Sequence, residues 1–457
     1  MRSLPLLAIL ALLALPTAPP LRAQATYTPP SINRGQSDGE AKRRWEQLAL
    51  IRREKFDHVL PEVMRENGVD MWITMIREAN HGNWWMAFGE GYAGKDGFYV
   101  FTDRGGDRIE RAALGITGYR IERSGAYDLF LPAGELRAFV EERDPQRIAI
   151  NTAPEIGPLD TLSHTGYLQL VETLGPKYAE RMTSAEKLGS DFRSRRVTAE
   201  IAAYSRAAEI SREIAERALS TEVITPGITR LEDVAWWIQE RQFERGLGSS
   251  FGMPSIYITG PDGVQALSNE RIIQHGDLIM IDWGVGYLNL QTDMKRIAYV
   301  LKPGETAAPE SLQRAFDEGR RARRVITDTI MPGRTAEQAE TEVYAALEAA
   351  GFRQIGFNQP TEDPDTTDVV IGCHSVGNFG HGTGPSIAFF NPLRRSYELR
   401  PTNLLSIELF AYTAIPEWGN KKVRIPLEDD AVLTERGIEW LAPPNDRILL
   451  VRSPSRP

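Results

Sequence analysis

The stretch "IDWGVGYLNLQTDMKR", residues 281–296, sets two aspartates, Asp282 and Asp293, eleven positions apart on what reads as a β-hairpin. Asp282 follows the apolar run "LIM" and Ile281, and Asp293 lies beyond the glycine-containing segment "GVGYLN". A turn centred between Tyr287 and Leu288 would put the two acids directly opposite each other. Like charges at that position repel. Either water solvates both, or a cation sits between them.

A second acidic pair lies further along. "LLSIELFAYTAIPEWGNKKVRIPLEDDAVLT", residues 404–434, reads as another strand–turn–strand, with Glu408 on one arm and Glu428 on the other. The glutamates are symmetric about Trp418 in the turn-like "PEWGN", so an odd-length loop opposes them. Directly opposed Cβ atoms stand about 4.5–5.5 Å apart, near enough for both carboxylates to share one cation. Four converging carboxylates could not all stay ionised unaided, and divalent metal would compensate them. The accompanying nitrogen donor is His381 in "FGHGTGPS", where Gly380 and Gly382 let the backbone approach closely. Carboxylate and imidazole donors suit manganese, cobalt, zinc or iron. Singly these signals are weak, because Asp and Glu make up 62 of the 457 residues. The specific feature is the ordered set: two aspartates, then Gly-His-Gly, then two strand glutamates.

The surrounding chain supports two related halves. "TPGITRLEDVAWWIQERQFERG" (225–246) and "MPGRTAEQAETEVYAALEAAG" (331–351) share Pro-Gly-x-Thr, a helix and a closing glycine. Thr229 with Glu232, and Thr335 with Gln338, have capping-box spacing. Gly246 and Gly351 suit the left-handed position that ends a helix. Upstream, residues 40–67 read as a helix, and the apolar runs "VDMWITMI", "GFYVFT", "RIAIN" and "LQLVE" alternate with helical stretches such as "AGELRAFVEER". That alternation indicates an α/β domain. Trp84 and Trp85 in "HGNWWMAFGEG" are candidates for a ligand cleft, with core packing the plainer reading.

Length points to more than one domain. A hydrophobic share of 42% and a charged share of 25% are those of a globular protein. The net charge of −9 argues against nucleic acid, which calls for a basic surface. "MRSLPLLAILALLALPTAPPLRAQA" has Arg2, an apolar run and the triplet Ala23-Gln24-Ala25, the layout of a cleaved secretory signal. Its apolar run is too short to span a bilayer. The expected organisation is a signal segment over 1–25, an α/β domain over 26–187 and a second domain over 188–457, giving a secreted or periplasmic protein with no membrane span. The only cysteine, Cys373, cannot form an internal disulfide and is expected to be a small buried hydrophobe.

The ordered set resembles the pita-bread metallopeptidases, a family that includes methionine aminopeptidase, aminopeptidase P (Xaa-Pro aminopeptidase) and the non-peptidase creatinase. The resemblance covers residues 190–457, and the upstream region is similar to the creatinase-type N-terminal domain. It implies an α+β pita-bread catalytic domain with pseudo-two-fold α-β repeats behind a smaller α/β domain. It further implies two divalent metal ions, manganese foremost, held by Asp282, Asp293, His381, Glu408 and Glu428, with Asp293 and Glu428 bridging. Glu408 would shuttle the proton of a metal-bridging hydroxide. The substrate implied is a peptide with proline at its second position, and the assembly a homodimer. Arg424 resembles a basic residue that steadies the acidic cluster. Lys295 stands where many relatives have a hydroxyl residue.

Two substrate-steadying histidines of the family have no counterpart at the expected places: one in the region of "GVQALSNER", the other at Ala388, seven residues after His381. His374 and Gln265 are the candidate substitutes, His374 as a catalytic residue. A non-peptidase hydrolase or lyase on the same scaffold, and a binding protein without catalysis, are the alternatives.

Overall fold

Short buried apolar runs build the first sheet. The structure, a computed structural model, describes residues 39–265, 270–388, 390–391 and 394–452, so the expected signal segment lies outside the described residues. The described residues from 44 onward form one compact unit. Within it β1 (Met71–Ile76), β2 (Tyr92–Thr102), β3 (Glu110–Thr117), β4 (Leu129–Leu131), β5 (Ile148–Ile150) and β6 (Met182–Ser184) make a mixed sheet ordered β4-β3-β2-β1-β5-β6. "LQLVE" is no strand. It lies in the helix His164–Leu174, which Ser163 caps by accepting from Gly166 N, and Leu170 and Leu174 are buried at helical spacing. Trp84 is core, stacked on Phe88 at 4.9 Å and edge-on to Trp72 at 5.0 Å. Trp85 donates to Gly91 O at 3.0 Å.

The second half supplies a larger sheet. Its strands are β7 (Gly248–Ser249), β8 (Ser255–Gly260), β9 (Gly263–Gln265), β10 (Leu278–Trp283), β11 (Val285–Tyr287), β12 (Leu290–Gln291) and β13 (Met294–Val300). After two helices come β14 (Arg353–Gln354), β15 (Asp368–Ile371), β16 (His374–Ser375), β17 (Leu404–Ile415), β18 (Lys421–Thr434), β19 (Gly437–Trp440) and β20 (Leu449–Val451). The main order is β14-β15-β17-β18-β13-β10-β8-β9, while β12, β11 and β7 form a small sheet beside it.

Each half brings a helix pair: Thr198–Ala218 with Leu231–Glu244, and Glu310–Thr329 with Ala336–Ala349. Tyr204, Ala207 and Ile214 of the first pair share a core with Ile279 and Ile281. Ala315, Phe316 and Ile326 of the second share one with Ile407, Leu409, Ile425 and Leu427. Strand residues alternate faces, so the acids between these apolar residues point the opposite way. The Thr335–Gln338 capping box forms, with reciprocal bonds of 3.2 and 2.9 Å. Its counterpart is displaced by one residue. Asp233 accepts from Arg230 N at 2.8 Å, and Thr229 Oγ1 instead accepts from Thr225 N.

The opening hairpin turns one residue later than its sequence suggests. Leu288 and Asn289 carry φ of 52° and 62°, the two positive values of a two-residue turn, and Tyr287 pairs with Leu290. Asp282 therefore faces Lys295, and Asp293 does not oppose it. The partner moves by two residues, one full strand period, so Asp293 keeps to the face of Lys295. Glu408 and Glu428 do oppose each other, across a loop containing Trp418.

Candidate active site

Strand register assembles a charged row. Asp282 of β10 faces Lys295 of β13, Lys295 faces Glu428 of β18, and Glu428 faces Glu408 of β17. The Lys295 ammonium reaches Glu428 Oε2 at 2.5 Å, Glu408 Oε1 at 2.6 Å and Asp282 Oδ2 at 3.1 Å. Asp293, two residues before Lys295, joins from the same strand. Its N–H donates to Asp430 Oδ2 at 3.0 Å, while its own Oδ1 is buried with no hydrogen-bond partner.

His374 on β16, beside β17, completes the cluster. Its Nε2 is 3.3 Å from Glu428 Oε1, 3.8 Å from Asp293 Oδ2 and 4.0 Å from Glu408 Oε2. Nδ1 lies 3.0 Å from Ser375 O. A carbonyl only accepts, so Nδ1 donates its proton there, and Nε2 is the ring nitrogen that faces the acids. Three overlapping sets have atoms close enough to hold an ion: Asp293 with His374 and His381, His374 with Glu408 and Glu428, and Asp282 with Asp293 and Glu428. His381 is the outer histidine. Its ring centre is 4.6 Å from that of His374 and stacks on Phe390 at 5.0 Å. Partial burial and the neighbouring His374 push its pKa down to about 4, so it is neutral at neutral pH.

Burial dominates the electrostatics. It pushes the Asp293 carboxyl well up, and Glu428 and Asp282 add to the rise. Burial also raises Asp282 and Glu408 against the pull of Lys295. Glu428 moves the other way. Burial opposes its ionisation, but Lys295 and the hydrogen bond to His374 together hold it below the ordinary range. Lys295, though desolvated, is raised by Asp282, Glu408 and Glu428 and stays charged.

The cluster floors a cleft of about 600 Å³ whose walls include Phe251, Phe357, Phe379, Phe390 and Phe410. Of the residues singled out in the sequence, Asp282, Asp293, His374, His381, Glu408, Glu428 and Lys295 come together. Arg424 does not touch the acids; it donates to Asn358 Oδ1 at 3.1 Å. The cations held next to Glu428 in the middle of β18 are Arg296 and Arg323, both on Asp429, and sequence spacing gave no sign of them. The Gln265 side chain lies outside the described residues. Ala388 is buried, but the seven-residue spacing expected of a paired histidine is met by His374 and His381 themselves. That spacing was the missed signal. Cys373 is buried as expected, its thiol donating to Glu408 O at 3.3 Å.

Comparison with known proteins agrees with this fold. Solved structures of similar fold include an X-Pro aminopeptidase from Thermotoga maritima, 17% identical with a TM-score of 0.59 over 86% of this chain and 99% of that one. An Xaa-Pro dipeptidase from Bacillus anthracis is 19% identical with a TM-score of 0.55, over 88% and 99%. An uncharacterised peptidase of Bacillus subtilis, YqhT, is 27% identical over 179 residues, and the match spans 39% of this chain and 41% of that protein's length. The fold is that of pita-bread aminopeptidases. The family model of the M24 metallopeptidases matches residues 202–435, a span holding every member of the charged cluster, and the chain belongs to metallopeptidase family M24.

Proposed function

We propose that the chain is an exported, metal-dependent aminopeptidase of the Xaa-Pro type, hydrolysing the N-terminal peptide bond before a proline at the second position. The observation that carries this reading is the convergence of one imidazole nitrogen with three carboxylates beneath an aromatic-walled cleft. The donors fit a divalent transition metal, for which we propose manganese. The buried, unpartnered Asp293 Oδ1 supports the fit, since such an oxygen is costly without a counter-charge. His374 Nε2, Asp293, Glu408 and Glu428 would hold the ion, its imidazole oriented through Ser375 O. When bound, such an ion supplies Lewis-acid chemistry, polarising a carbonyl and acidifying a water.

The protein's own groups do the rest. Glu408, raised by burial, takes a proton from the attacking water and returns it to the leaving proline nitrogen. His381, neutral at the cleft mouth, donates an N–H to the carbonyl oxygen as charge develops there. Asp282, whose side chain is 27% exposed, offers an oxygen to the substrate's free ammonium. The phenylalanine walls exclude water and pack against the proline ring. The signal-like residues 1–25 support a secreted or periplasmic location, and no helix among the described residues is long and apolar enough to cross a membrane. Homodimer assembly belongs to the same proposal.

The test is a panel of dipeptides and longer peptides with and without proline second, assayed with added manganese and after chelation. Metal-dependent release of the N-terminal residue from Xaa-Pro peptides is expected. Inactivity across the metal-loaded panel would turn the assignment to small-molecule hydrolysis.

Gly372 offers a sharper probe of Glu408. A Cβ there would lie 2.5 Å from Glu408 Oε2 and 2.8 Å from its Cδ, so Gly372→Ala must shift the carboxylate. A displacement of that order costs about 10²-fold in kcat/KM. Circular dichroism should show the fold unchanged.

A further inference from the structure

We propose that Lys295 is a built-in cation standing in for one of two metal ions, so that the chain binds a single divalent ion on the His374 side of the cluster. This rests on the metal-binding part of the function proposed above and departs from a two-metal centre.

Register fixes the lysine in place. Lys295 is paired directly with Asp282 on one neighbouring strand and with Glu428 on the other, so its side chain rises between the acids from the floor of the sheet. Its side chain is 9% exposed, unlike a surface lysine that swings between solvent and site. The carboxylate oxygens divide accordingly. Asp282 Oδ2, Glu408 Oε1 and Glu428 Oε2 are within 3.1 Å of the ammonium. Glu408 Oε2, Glu428 Oε1 and Asp293 Oδ2 are the oxygens within 4.0 Å of His374 Nε2. Each glutamate thus gives one oxygen to Lys295 and turns the other toward the imidazole. Glu428 Oε1 also accepts from Ser406 Oγ at 2.6 Å.

Two positions for positive charge result, and one is filled by covalent chain. Metal–oxygen bonds of about 2.0–2.2 Å would put an ion on the Asp282 side into contact with the ammonium itself. Charge points the same way. Two divalent ions neutralise four carboxylates, and an added ammonium would overcharge a buried site. One ion with Lys295 leaves a single negative charge, complementary to the free ammonium of a peptide N-terminus. The residues therefore fit one ion and do not fit a second.

Metal-stripped protein dialysed against manganese, with metal and protein quantified on the same sample, tests this. Wild type should hold one ion per chain and show the electron paramagnetic resonance of an isolated manganese. Lys295→Thr should hold two and show exchange coupling. Asp282→Asn should keep its single ion and His374→Ala should lose it, so the proposal is decided even if Lys295→Thr fails to fold. Two ions in the wild type, or one in a natively folded Lys295→Thr, would overturn the replacement of a metal by Lys295 alone. Loss of the ion from Asp282→Asn would overturn its placement beside His374. No ion in any of the proteins would overturn the metal reading together with it. Xaa-Pro hydrolysis, assayed separately, bears on the substrate and leaves the ion count untouched.

Discussion

Glu408→Gln should lower kcat on an Xaa-Pro peptide by about 10²–10⁴, the usual contribution of a positioned proton-transfer group. The amide keeps the shape of the carboxylate and can still accept from Lys295, which retains Glu428 and Asp282 as partners. Protein stability should therefore change little. What disappears is an oxygen able to take and return a proton beside His374. A fall in kcat with KM nearly constant, measured at saturating manganese, would support the proton-shuttle role. A rise in KM alone would point to substrate positioning instead.

Asp429→Ala should be the most destabilising single substitution near the site, by about 3–5 kcal/mol, the cost of stranding buried charge. Asp429 accepts from Arg296 Nη1 at 2.8 Å, Arg323 Nη1 at 3.0 Å and Asn445 N at 2.8 Å. It lies on the face of β18 opposite Glu428, so its loss leaves two buried guanidiniums without touching the cleft. A lower urea midpoint is expected, with kcat of the remaining folded fraction close to wild type. An unchanged midpoint would mean that burial, which pushes this carboxyl upward, already cancels the worth of the ion pairs.

What could be read from the sequence depended on whether the determining contacts were local. Glu408 and Glu428 were found because they are symmetric about one loop, and symmetry survives any odd loop length. Asp282 and Asp293 were misregistered because the turn uses Leu288 at positive φ, a conformation an apolar β-turn residue does not advertise. His381 drew attention through its flanking glycines. His374 is placed deeper by pairing opposite Ser406, thirty-two positions away in sequence, and no local pattern reports that. The position of Lys295 was visible, but its place between the acids follows only from the corrected register. The helix over "LQLVE" was missed because a short apolar run does not distinguish strand from helix.

The thiol of Cys373 is shut inside the protein and bonded to the carbonyl of Glu408, while Gly372 N donates to that same carbonyl at 2.9 Å. An alkylating reagent can reach this sulfur only when β17 parts from the segment that leads to His374. The rate of its labelling in otherwise native protein is consequently a clock for breathing of the active-site wall, supplied by the chain itself with no engineered probe.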